Sequence, residues 1–195
     1  QRKAVFKQIT YHATQFMRTI QARKEFINNH PKKLEIARKI IEARPSSKII
    51  TFSNNIKMAE SIGMGGKVFS GRDSKKKGRT TIEEFSKESS GILHTVRKAD
   101  EGLDVPGLSV AIILGIDSSK IRKVQRIGRV VRKEGDKKAE IFTLVIDQTV
   151  ETEWFKKSNN STSVVTIDED GLNEVLAGRE PKPYVKRIKD FTFRY

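Results

Sequence analysis

The run Ser109-Val110-Ala111-Ile112-Ile113-Leu114 decides the fold. After the serine every residue is apolar, and Val110, Ile112 and Ile113 are β-branched, so the run offers solvent no polar face. A strand of this kind is covered on both sides, as in a parallel sheet. Working outward, further strand-like runs occur at 48–52 (KIITF), 67–69, 92–95 and 140–146 (EIFTLVI). Segments with helical spacing lie between them. One opens at His30-Pro31, carries Leu34, Ile36, Ala37, Ile40 and Ile41 near helical spacing, and ends at Arg44-Pro45-Ser46-Ser47. A short helix is expected over 55–62, another over 80–87 with Ile82 and Phe85 inward, and a third over 149–157 with Trp154 and Phe155 packed on the sheet. Residues 70–79 (SGRDSKKKGR) read as a polar loop with five basic residues. Alternating strands and helices build a doubly wound α/β sheet, whose ligands sit at the carboxyl ends of the strands. Ser53-Asn54, the stretch from Thr95 and the loop after Leu114 all begin at that edge.

Residues 117–133 form a helix with readable ends. Ser118 and Ser119 suit its N-cap and Gly135 its C-cap. At roughly 100° per residue, Ile121, Val124, Ile127, Gly128 and Val131 share one arc, the core-facing stripe. Gln125, Arg129 and Arg132 fall on the neighbouring arc, with Arg122, Arg126 and Lys133 further round. A plain basic amphipathic helix with a solvated face is the alternative. Against it, arginine stands at the key positions although lysine is abundant nearby, and the apolar stripe fixes their direction. A planar, always charged fork on a rigid element suits phosphate oxygens. Before the decisive run lies Thr95-Val96-Arg97-Lys98-Ala99-Asp100-Glu101-Gly102-Leu103-Asp104-Val105-Pro106, mostly polar between two buried elements. It is either a site loop or an ordinary crossover connection.

Composition narrows the partner. The 195 residues can bury a real core, and the formal charge of +15 favours a polyanion, nucleic acid before others. Without cysteine there is neither a disulfide framework nor a thiolate metal site, and His12, His30 and His94 lack metal-ligand spacing. No metal site is therefore expected. No apolar run approaches the roughly 20 residues of a membrane span, and no signal peptide is visible. The expected location is intracellular, in cytoplasm or nucleoid/nucleus, with no membrane partner. A chain that opens on Gln1 rather than Met is expected to be a piece of a longer one. Residues 1–30 read as a lead-in segment in which Phe6, Ile9, Phe16 and Ile20 hint at a helical face. Residues 31–158 form the main domain. Residues 159–195 form a basic C-terminal extension with a polar linker at 159–163 and a short helix over 172–177.

The run Gln125-Arg126-Ile127-Gly128-Arg129-Val130-Val131-Arg132 resembles motif VI of superfamily 2 helicases and translocases, Gln/His-Arg-x-Gly-Arg-x-x-Arg, at every position. The stretch from Thr95 to Asp104 is similar to motif V, and Lys48-Ile49-Ile50-Thr51-Phe52-Ser53 to motif IV. The wording is closest to XPB-like DNA helicases, and the resemblance spans about residues 30–150. It implies a RecA-like (P-loop NTPase-like) fold, a mostly parallel sheet flanked by helices with a short C-terminal extension. It implies the second lobe of an ATP-dependent nucleic-acid helicase or translocase, an enzyme only as part of a larger chain. It further implies arginine fingers at Arg129 and Arg132, and ATP-side residues at Gln125, Gly102 and Asp104. Strand-backbone contacts are implied at Thr95 and at Ser53 or Asn54. Lys75, Lys76, Lys77 and Arg79 are added as nucleic-acid contacts from their charge. The implied partners are DNA before RNA and the N-terminal lobe of the same protein. ATP with Mg2+ would be held mainly by that first lobe, and none is expected on this chain alone. Two essentials of the first lobe are missing. Gly65-Gly66-Lys67 is followed by Val68 where a phosphate loop needs a hydroxyl, and Asp100-Glu101 follows polar residues rather than an apolar strand. Asp168-Glu169-Asp170-Gly171 lacks the ligand spacing of a calcium loop. The rival reading is a non-catalytic nucleic-acid-binding module that keeps the fold.

Overall fold

The computed structural model describes residues 2–96, 105–115, 139–158 and 164–184. The chain divides into two compact units, Gln1–Ser158 and Asn159–Tyr195. Within the first, helix α1 (Arg2–Asn28) leads to α2 (Pro31–Glu42), β1 (Lys48–Ser53), α3 (Ile56–Ile62), β2 (Lys67–Ser70), α4 (Lys75–Lys87), β3 (Gly91–Val96), β4 (Val110–Ile113), β5 (Glu140–Thr143) and α5 (Val150–Ser158). The second unit contains α6 (Glu169–Leu176).

The strands form one sheet in the order β2-β3-β1-β4-β5, and all four pairings are parallel. The decisive run becomes β4, buried along its whole length. Its neighbour β1 is also buried throughout, as an inner strand covered on both faces must be. Strand geometry sends alternate side chains to opposite faces. On one face Ile50, Phe52, Phe69, Leu93, Ala111 and Ile113 meet Phe85 of α4 together with Val105 and Leu108, and Ile82 packs at the margin. On the β1 and β3 side, α3 packs against the sheet and against α2, burying Met58, Ala59 and Ile62.

Local chemistry sets the ends of the helices. His30 caps α2 by accepting from the Lys32 N–H at 3.2 Å, and Pro31 takes the first turn, where a missing N–H costs nothing. Past the other end of α2, the Arg44 guanidinium forks onto Glu140 at 2.7 and 2.9 Å and ties that end to β5. In the second unit Asp168 caps α6 by accepting from the Gly171 N–H at 2.9 Å, and Tyr184 donates its N–H to the Thr166 carbonyl at 2.7 Å.

Two elements differ from the sequence expectation, and the lead-in extends the helical face expected of it. Residues 75–79 are not loop but the first turns of α4, because Ser74 caps the helix by accepting from the Lys77 N–H at 3.2 Å. Gly78 makes that packing possible: a Cβ there would stand 2.7 Å from the Phe69 ring. Strand β5 stops at Thr143 rather than continuing to residue 146. The lead-in is a continuous helix of 27 residues. Trp154 and Phe155 are both half-buried on α5.

Candidate nucleotide and nucleic-acid site at the carboxyl edge of the sheet

Parallel pairing brings the carboxyl ends of all five strands to one edge. Ser53 is registered with Val96, Ser70 with Val96, Phe52 with Ile113, and Ile113 with Thr143. The segments expected to carry function therefore leave from one side of the sheet. Of the predicted residues, Gln125, Arg129, Arg132, Gly102 and Asp104 lie outside the described residues, as does the helix over 117–133. The fold fixes where these segments depart: after Val96 for one, and after Gly115 for the other.

Thr95 and Ser53 stand at this edge with their hydroxyls turned inward. Thr95 is buried and its Oγ1 donates to the Thr51 carbonyl at 2.8 Å. Ser53 is buried, with Oγ donating to the Asn55 carbonyl at 3.2 Å and towards the Thr95 carbonyl at 3.4 Å. For either hydroxyl to donate to the phosphate oxygens of a nucleic-acid strand, its present bonds must be released. Asn54 is half-exposed and lies over the start of the segment that follows β4: a Cβ on Gly115 would sit 2.3 Å from its carboxamide. Glycine at 115 thus lets Asn54 close on the backbone where the chain leaves for residue 116.

The cations of α4 start from the same edge. At the end of β2 the Asp73 carboxylate accepts from the Ser70 N–H at 2.8 Å and from its hydroxyl at 3.1 Å, turning the chain into α4. The Ser70 N–H, then Lys77, hold the Asp73 carboxyl below its ordinary value. Lys76, Lys77 and Arg79 are exposed, and Lys77 reaches Asp73 at 3.0 Å. Lys76 and Arg79 line a shallow surface depression with Thr80 and Glu83. Lys75 opens the helix, with its side chain outside the description.

One feature was missed in the sequence. Lys33 and Glu151 form a buried ion pair: the ammonium donates to both carboxylate oxygens at 2.6 and 2.8 Å and to the Leu114 carbonyl at 2.8 Å. Glu151 also accepts from the Ile146 N–H at 3.1 Å. All three ammonium donors have an acceptor. Burial pushes the Lys33 ammonium below its ordinary value, and the Glu151 charge opposes that shift. The pair joins α2, the carboxyl end of β4, the segment after β5 and α5, so it grips the chain on both sides of residues 116–138. The signal was available: Lys33 lies at helical spacing from Ala37, Ile40 and Ile41, on the stripe that α2 buries. A lysine there needs an acid within reach.

Lys67, the lysine of the Gly-Gly-Lys run, is paired at the surface with Glu88 at 2.9 Å and Glu84 at 3.2 Å. Among the described residues no cluster of His, Asp or Glu is arranged to hold a metal ion, and no helix is long and apolar enough to cross a membrane.

Set beside known proteins, residues 32–134 match the family described as helicase conserved C-terminal domain. The chain belongs to that family. It is similar to the DNA 3'-5' translocase XPB2 of Sulfurisphaera tokodaii, 29% identical over 125 residues, which cover 63% of this chain and 28% of the relative. It is likewise 29% identical over 147 residues to a putative ATP-dependent RNA helicase of Methanocaldococcus jannaschii, covering 66% of this chain and 18% of the relative. Among solved structures, the C-terminal domain of the DEAD-box protein Dbp5 superposes with a TM-score of 0.62 at 17% identity, over 77% of this chain and 91% of that one. That likeness establishes the fold, a RecA-like parallel sheet flanked by helices. The chain spans less than a third of the length of either curated relative.

Proposed function

We propose that this chain is the second motor lobe of an ATP-dependent helicase or translocase that acts on nucleic acid, DNA before RNA. The match over residues 32–134 carries the reading, because it contains the run Gln125 to Arg132. Bound ATP with Mg2+ supplies the phosphoryl group that passes to water. The first lobe of the same protein, or of its complex, would hold the phosphates, the ion and the water-activating carboxylate. This chain contributes charge: Arg129 and Arg132 meet the negative charge that grows on the phosphate oxygens, and donors already in place stabilise it best. Gln125 holds the arginines or a neighbouring polar group in register. Gly102 lets backbone approach the nucleotide, and Asp104 accepts from its ribose. Asn54 faces the strand backbone from the sheet edge, and Ser53 and Thr95 contact it once their hydroxyls leave the carbonyls they bond. Lys75, Lys76, Lys77 and Arg79 add phosphate contacts from α4. Such a motor works inside the cell.

The net charge of +15 and the exposed α4 cations support weak, sequence-tolerant binding by the chain itself. Labelled single and double strands of DNA and RNA, titrated at low and moderate salt, test this. Affinity is expected to fall steeply with salt through counterion release and to favour DNA. Tight binding to one sequence that ignores salt would overturn the reading.

A further inference from the structure

Helix α1 keeps an apolar seam that the rest of the described molecule leaves open. Phe6, Ile9, Ala13, Phe16, Ile20 and Ile27 follow alternating steps of three and four, interrupted only by Arg23. That is the repeat of about 3.5 residues with which one helix pairs with another. Only the C-terminal end is covered. Ile27 is buried, and Asn29 just beyond the helix accepts from the Asn55 side chain at 2.6 Å. Further back Phe6 is 71%, Ile9 61% and Phe16 65% exposed, with Val5 and Met17 more than half exposed beside them. An apolar stretch this continuous marks an interaction surface.

Charge selects the occupant. The helix carries six basic residues (Arg2, Lys3, Lys7, Arg18, Arg23 and Lys24) and one acidic residue, Glu25. Positive charge is concentrated towards both ends, while the middle of the seam is neutral. A second copy would therefore set like charges together whether it ran parallel or antiparallel. A membrane surface asks for a broad apolar face rather than a seam that holds the 3.5 repeat. We propose that α1 is a docking helix, and that its partner is an amphipathic protein helix with an apolar seam and carboxylates at its ends.

Two synthetic helical peptides test this against the chain of 195 residues. Both carry leucine at the seam positions; one is flanked by glutamate and the other by lysine. The glutamate peptide is expected to bind in fluorescence anisotropy, and the lysine peptide at least tenfold more weakly. The paired change Ile9→Gln and Phe16→Gln should reduce glutamate-peptide binding at least tenfold while circular dichroism and melting stay unchanged, since neither residue belongs to the sheet core. No binding of the glutamate peptide, or equal binding of both peptides, overturns the proposal. So does a stable dimer of the chain that the paired change dissolves. Capture by phosphatidylserine vesicles without binding of the glutamate peptide would assign the seam to a membrane and overturn it as well.

Discussion

Two consecutive helices use the same kind of pattern to opposite ends. Both α1 and α2 carry an apolar stripe. In α2 the stripe is buried, with Ala37 and Ile40 fully covered and Ile41 nearly so, and the helix packs against α3. In α1 the stripe faces solvent from Phe6 to Phe16, is half-buried at Ile20 and is buried at Ile27. Periodicity tells which side of a helix is apolar; it does not tell what lies on that side. Charge follows the same division. The α2 stripe includes a lysine that burial forces into an ion pair, whereas α1 carries six cations and a single acid, Glu25. The body of the lobe is thus complete at α2, and α1 is a surface element attached at its last turn.

This division predicts unequal responses to substitution. The largest is expected at Lys33. Lys33→Met leaves the Glu151 carboxylate buried without its cation and should cost about 3–5 kcal/mol in chemical denaturation. The double change Lys33→Met with Glu151→Leu should recover most of that loss. A single variant as stable as the parent would show that the pair is not closed in solution. Next comes Ile40→Ala, which opens a cavity under α2 and should cost about 2–5 kcal/mol by the same measurement.

A smaller effect belongs to His94, buried within the sheet. Its Nε2 faces the Gly63 carbonyl at 3.0 Å, which requires a proton on that nitrogen. Its Nδ1 then accepts from the Thr51 hydroxyl at 2.8 Å. Burial holds this imidazole below its ordinary value of 6.5, against the pull of the Gly63 carbonyl. The folded chain therefore binds fewer protons than the unfolded chain just below pH 6.5. Stability contributed by neutral His94 is present above that value and declines as pH falls through it towards the folded-state value. His94→Asn should remove this component from a stability–pH profile, and an unchanged slope between pH 6.5 and 5 would contradict it. The smallest effect is expected in α1, where Phe16→Gln should change stability by no more than about 0.5 kcal/mol. A loss comparable to that of Ile40→Ala would mean that α1 belongs to the core.

The fold was legible because β4 has no polar residue to place in water and because Ile82 and Phe85 fall on one side of α4. The start of α4 was not, since its first turns carry consecutive lysines and a glycine, which read as loop until Ser74 is recognised as a cap. The buried pair was hidden for another reason. Lys33 and Glu151 are 118 positions apart, and only the tertiary fold brings them together. The edge of the sheet could be read in part. Ser53, Asn54 and Thr95 were identified from motif wording, but motif wording carries no information on where a hydroxyl points. Both hydroxyls bond to carbonyls of the protein itself, and Asn54 is the polar side chain that reaches the start of the next segment.

The run around Gly128 is proposed to serve phosphoryl transfer and not merely to be a solvated basic face. Steady-state ATP hydrolysis with nucleic acid present, in a protein that carries both lobes, tests it most directly. Arg129→Ala and Arg132→Ala should each lower turnover by about 10³–10⁵, as loss of an arginine finger does in related phosphoryl-transfer enzymes. Nucleotide affinity should largely remain, and Arg→Lys should rescue poorly because an ammonium does not replace the fork. Near-normal turnover in either alanine variant would contradict the account and leave a nucleic-acid-binding lobe without a part in catalysis.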